Sequence, residues 1–114
     1  VIAHLVLFRP PASFDDAAAE ALLSAMEHAF SNIDDIARVR IGRRQLVGRG
    51  YEAQMREHFE YAAVLEFASQ EALLRYLDHP AHVDLGRRFF TSAEAALVYD
   101  FKMVEPFQAR DLLR

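Results

Sequence analysis

The alternation of apolar and polar positions divides the chain into six segments. From Ile2 to Arg9 it is a short apolar run with one polar interruption, His4. The run stops at Pro10-Pro11, whose missing amide hydrogens end ladder pairing, so it reads as a first strand. Ser13-Phe14-Asp15-Asp16 then has the character of a helix start, with Ser13 able to cap and two aspartates suited to the positive end of a helix dipole. Ala18, Leu22, Ala25, Met26 and Ala29 recur at helical spacing, closed by Phe30 and Ile33, which predicts a helix to about Ser31 and a turn over Asn32 to Asp35.

A second strand is predicted over Ala37 to Leu46, where Val39 and Ile41 alternate with Arg38 and Arg40. Val47 to Arg56 holds two glycines and mixed charge and reads as a loop or irregular hairpin. His58 to Phe67 alternates again, with Phe59, Tyr61, Ala63, Leu65 and Phe67 on one face and Glu60 and Glu66 on the other. Ser69 opens a second helix carrying Leu73, Tyr76 and Leu77. Pro80 breaks it, because the residue before a proline avoids helical angles, and Pro80 also suits the first position of a further helix. That helix runs to about Ala93 with Leu85 and Phe89 inward, and Ala95 to Val104 is the last strand.

The order is the split βαβ arrangement, βαββαβ, a ferredoxin-like α+β fold in which helices cover one sheet face. Residues 1–104 would form the domain and 105–114 a C-terminal tail. Leu5, Leu7, Val64, Leu97 and Tyr99 leave apolar side chains on one or both faces of the sheet, and an uncovered apolar face calls for a partner. The expected partner is a second copy.

Composition narrows the functions. At 114 residues the chain fits one domain with a thin core, and 53% hydrophobic content is generous for that size. A net charge of −4 gives no general attraction for nucleic acid or anionic membrane. The absence of cysteine excludes disulfides, thiolate metal sites and thiol nucleophiles. Apolar runs are too short to span a bilayer, and strand-like sequence begins at Ile2 with no signal peptide before it, so a cytoplasmic location is expected. There is no phosphate loop, dinucleotide fingerprint or nucleophile elbow, and no metal, haem or flavin is expected.

Tyr76-Leu77-Asp78-His79-Pro80-Ala81-His82 is the most distinctive segment. With His4 inside Ile2-Ala3-His4-Leu5-Val6-Leu7-Phe8, and Leu97-Val98-Tyr99-Asp100-Phe101 near the end, it resembles the stress-responsive α/β-barrel family over Ile2 to about Lys102. Members are ferredoxin-like homodimers whose two sheets face each other as a barrel, and most have no established activity. The resemblance therefore implies a dimeric α/β barrel and leaves the function open. A plant polyketide cyclase of the family works by aldol condensation. Its catalytic tyrosine and histidine match Tyr76 and His82, and its first-strand histidine matches His4. A further pocket histidine is replaced here by Tyr61.

The residues themselves make His82 the leading candidate. It lies in the first turn of its helix, on the side of Leu85 and Phe89, where the positive helix end disfavours an imidazolium. A neutral imidazole beside the Tyr76 hydroxyl suits proton abstraction next to a carbonyl. A histidine that only bonds a backbone carbonyl at the Pro80 corner is the competing structural role. His4 is expected in the core with partial exposure to the same pocket, and Tyr61, Leu85 and Phe89 as its lining. His79 reads as a helix cap and His28 and His58 as surface residues. Arg38, Arg40, Arg43, Arg44 and Arg49 read first as a solvated strand edge, and second as a lure for a ligand's carboxylate or phosphate. The resulting expectation is a homodimer binding a small hydrophobic oxo-compound, catalytic as a cofactor-independent cyclase or lyase. The alternatives are a non-catalytic stress-responsive binding protein and a cofactor-free monooxygenase.

Overall fold

The computed structural model describes residues 1–113. Four strands, β1 (Ile2–Arg9), β2 (Ile36–Arg43), β3 (Tyr61–Phe67) and β4 (Ala95–Lys102), form one antiparallel sheet in the order β2-β3-β1-β4. The helices are α1 (Asp16–Asn32), the one-turn α2 (Gly50–Gln54), α3 (Gln70–Asp78) and α4 (Pro80–Ser92), and a 3₁₀ segment spans Pro106–Leu113. The fold is the ferredoxin-like α+β architecture.

Side-chain alternation sorts the sheet into two faces. Ile2, His4, Val6 and Phe8 of β1 stand beside Phe67, Leu65, Ala63 and Tyr61 of β3 on the helix side. Phe67 and Leu65 are fully buried there, packed with Leu22, Ala25 and Ala29 of α1 and with Leu73, Tyr76 and Leu85. A bulge at Ala37 shifts the parity of β2, so that Ile36, Val39 and Ile41 join the same side. The opposite face has no helical cover. Ala3, Leu5, Leu7, Val64, Leu97, Tyr99 and Phe101 lie on it, with Tyr99 and Phe101 about half exposed at 52% and 49%. The molecule is accordingly a slab, 45 × 41 × 18 Å.

Several boundaries differ from the sequence reading. The cap of α1 is Asp15, whose carboxylate accepts from the Ala18 amide at 2.8 Å, and not Ser13. A turn from the Phe14 amide to the Pro11 carbonyl places Asp15 at the cap position. The second strand stops at Arg43, short of Leu46, because the following chain turns into a nest around Glu52. That carboxylate accepts from the Val47, Gly48 and Arg49 amides at 2.8, 2.8 and 3.0 Å and so holds α2 where a loop was expected. The bond from the Val47 amide, first among these, holds the Glu52 carboxyl below the usual carboxylate range. Gly48, at φ 76°, supplies the left-handed residue of this turn.

The third strand begins at Tyr61, not His58, since Glu57 and His58 are engaged elsewhere. Arg9 donates to Glu57 at 2.6 Å and to the His58 carbonyl at 3.4 Å, and it lies over the Phe59 ring. The last strand ends at Lys102, not Val104, where the Met103 amide donates to the Val1 carbonyl. Among the described residues no helix is long and apolar enough to cross a membrane.

Phe67 is the centre of the core, and Phe67→Ala should lower the unfolding free energy by about 3–5 kcal/mol, measured by urea titration. A loss below about 1 kcal/mol would mean the core is centred elsewhere.

Candidate functional site

A cavity of about 430 Å³ opens between the sheet and the helices. That is within the size range of small-molecule sites. Its walls come from β1 (His4, Val6, Phe8), β3 (Tyr61, Ala63, Leu65), α1 (Leu22, Leu23, Met26) and the corner formed by α3 and α4 (Tyr76, Leu77, His82, Leu85, Phe89). Among the described residues no lysine, arginine, aspartate or glutamate lines it. Its polarity comes mainly from His4, Tyr76 and His82, with the Tyr61 phenol a further polar group in the wall.

The corner follows from three local choices. Ser69 caps α3 by accepting from the Ala72 amide at 3.2 Å. His79 ends α3 and caps α4 at once: its amide donates to the Tyr76 carbonyl, and its Nδ1 accepts from the Ala81 amide at 3.0 Å. Pro80 opens α4 at the position where a missing amide hydrogen costs nothing. The break turns the chain so that His82 folds back over the helix before it.

His82 Nδ1 lies 3.0 Å from the Leu77 carbonyl oxygen. A carbonyl can only accept, so Nδ1 carries the proton, and in the neutral ring Nε2 is the lone-pair nitrogen. Burial lowers the pKa of His82 from its ordinary 6.5; the Leu77 bond opposes this, and the nearby His4 adds to it. Loss of water around the ring is thus the main cause of its neutrality, in place of the helix end invoked from sequence. The carbonyl bond and a usable base are not alternatives here, because they involve different nitrogens.

The Tyr76 ring packs against His82 at 4.4 Å and against His4 at 5.9 Å between centroids. Tyr76 is 2% exposed, and burial pushes its phenol well above the usual tyrosine range, so it remains a proton donor. Its hydroxyl makes no hydrogen bond among the described residues. No fully buried side-chain oxygen or nitrogen among those residues lacks a partner, so this hydroxyl reaches open space, and the space beside it is the cavity it lines. The same reasoning applies to Nε2 of His4 and of His82.

His4 has a partner absent from the sequence reading. Its Nδ1 meets the Asp100 carboxylate at 2.6 Å across the β1–β4 pair, in which the two residues are direct neighbours. Nδ1–H donates, leaving His4 Nε2 as the outward nitrogen. The available signal was an aspartate at the helix-side parity of a strand that is apolar up to that point. That parity has meaning only once the register is known.

The arginine stretch is elsewhere. Arg38 and Arg40 project from the uncovered sheet face, and Arg44 donates to His58 Nδ1 at 2.6 Å. None of the five lines the cavity, so they do not draw a ligand's anionic group into it. His28 is an exposed residue bonded to Asn32. Among the described residues no cluster of three or more histidines and carboxylates could hold a metal ion.

A four-stranded antiparallel sheet with one helical layer and a cavity between them defines a ferredoxin-like α/β-barrel protomer. The model of the stress-responsive A/B barrel domain matches residues 2–103, and the chain belongs to that family. Among solved structures it is similar to a hydroxynitrile lyase from Passiflora edulis, at 17% identity and a TM-score of 0.75, covering 93% of this chain and 95% of that one. A family member from Mesorhizobium loti gives 24% identity and a TM-score of 0.70 over 91% and 97% of the two chains. A dimeric ferredoxin-like protein of unknown function from Thermobifida fusca gives 18% and 0.70 over 90% of each. No curated protein sequence matches the chain.

The His82 shift has a sign that can be measured. Between its lowered folded pKa and the ordinary 6.5 the unfolded chain binds more protons, so stability rises with pH through that window. Acidification below pH 6.5 should therefore lower the Tm, and His82→Gln should remove part of that slope. An unchanged slope in the variant would show that His82 is not desolvated.

Proposed function

We propose that the protein is a homodimer that binds an uncharged, largely apolar carbonyl compound in each cavity and carries out cofactor-independent acid–base chemistry on it. One observation carries the reading. The His82 ring, whose lone-pair nitrogen has no partner among the described residues, and the Tyr76 ring, whose hydroxyl has none, lie 4.4 Å apart and line one largely apolar cavity. A carbonyl oxygen would accept from the Tyr76 hydroxyl, and the acidic C–H beside that carbonyl is the proton the His82 lone pair could take.

His82 Nε2 would take a proton from the carbon next to the carbonyl. The Tyr76 hydroxyl would donate to the oxygen as negative charge develops there, in a site dry enough to strengthen that bond. Aldol-type cyclisation of a polyketide-like chain begins this way. His4, oriented by Asp100, is placed to pass a second proton. The apolar wall, with Phe8, Leu85 and Phe89, holds the rest of the molecule. Self-association is supported by the uncovered apolar sheet face and by the dimeric state of the Thermobifida fusca neighbour.

The test uses a panel of uncharged β-keto and polyketide-like compounds, with binding read by calorimetry and turnover by chromatography. His82→Gln should reduce turnover by about 10²–10⁴ while binding persists. Tyr76→Phe should also slow turnover yet leave the Tm almost unchanged, because its hydroxyl has no partner in the protein to lose. Binding with no turnover for any compound would favour a passive binding protein, and turnover indifferent to both substitutions would overturn the assignment.

A further inference from the structure

Gly86 stands in the middle of α4 without a local reason for a glycine. Among the chain's glycines only Gly48 has a positive φ, so the helix needs no left-handed residue at this point. No other element crowds it either. A Cβ built at Gly86 would meet a single atom within 4 Å, His82 Cε1 at 4.0 Å, which is ordinary van der Waals contact. An alanine would therefore fit, and it would strengthen the helix, because a glycine there gives up more backbone freedom on folding. What the glycine supplies is space, and that space belongs to the cavity, which Gly86 lines.

Helix geometry puts the space beside His82. Residues four apart share a face, and each Cα–Cβ bond leans toward the helix N-terminus, so the side chain that Gly86 lacks would lie over the His82 ring. The ring is held in place. Its Nδ1 is tied to the Leu77 carbonyl at 3.0 Å, and the Tyr76 ring packs against it at 4.4 Å between centroids. Cε1, the atom a methyl at Gly86 would meet, is bonded to both ring nitrogens and so adjoins Nε2.

We infer that Gly86 is an access residue, whose missing side chain leaves open the approach by which a ligand atom reaches His82 Nε2. The inference rests on the acid–base reading above for its purpose and on the Gly86–His82 geometry for its form. Proton transfer to Nε2 needs hydrogen-bond reach, and covalent attack by it needs the reacting atom within about 3–3.5 Å. One carbon on that edge of the imidazole therefore obstructs the approach while it stabilises the helix. Access and stability move in opposite directions, which a role in packing alone would not produce.

The test uses diethyl pyrocarbonate, which transfers an ethoxycarbonyl group to the lone-pair nitrogen of a neutral imidazole and releases ethanol and carbon dioxide. Wild-type and Gly86→Ala proteins are treated above pH 6.5, where His82 is neutral, and each histidine is followed by peptide mass spectrometry. The exposed His28 and His58 serve as references. His82 should react in the wild type, and in Gly86→Ala its rate should fall by about tenfold or more with both references unchanged. The Tm of the variant should rise by about 4 °C. An unchanged His82 rate in the variant would overturn the inference, and so would a fall in Tm, which would give the glycine a packing role. A wild-type His82 that stays inert while His28 and His58 react would show that no approach to Nε2 is open. The expected pattern without turnover of any carbonyl compound would uphold the access and count only against the acid–base reading.

Discussion

A four-stranded sheet offers two faces, and a chain of this length supplies one layer of helices. That mismatch shapes the rest of the molecule. The covered face becomes the core and, where packing is incomplete, the cavity. The uncovered face carries Leu5, Leu7, Val64, Leu97, Tyr99 and Phe101. Both features follow from the alternation of side chains along the same strands, so the cavity and the open apolar face are the two sides of β1, β3 and β4.

The cavity owes its chemistry to the corner at Pro80. One residue, His79, closes one helix and opens the next, and the turn brings His82 back onto the Leu77 carbonyl. This single bond chooses the tautomer, and burial chooses the charge state. Neither effect would arise in a continuous helix, where Tyr76 and His82 would point away from one another. On the other wall, Asp100 does for His4 what Leu77 does for His82. Two imidazoles thus border the Tyr76 ring, their proton-bearing nitrogens tied to the protein, and both rings line the cavity.

The walls are apolar and carry little chemical information, so changes among Phe8, Tyr61, Leu85 and Phe89 would alter the shape accepted without disturbing the corner. The fold is shared with a hydroxynitrile lyase and with a protein of unknown function. Function has to be argued from the groups in the site.

The order of strands and helices, the Pro80 break and the membership of His4, Tyr76 and His82 in structured elements were legible in the residues. These properties are local: periodicity, capping chemistry and proline geometry act over a few positions. Asp15 in place of Ser13 as the cap, and the Glu52 nest that shortens the second strand, were less legible because several residues compete for the same backbone groups. Asp100 was illegible for a different reason. Its role depends on facing His4 across 96 positions of sequence, and the strand register that joins them is set by hydrogen bonds between segments. The neutrality of His82 and the depth of Tyr76 likewise arise from burial, which belongs to packing in three dimensions and has no spacing in the chain.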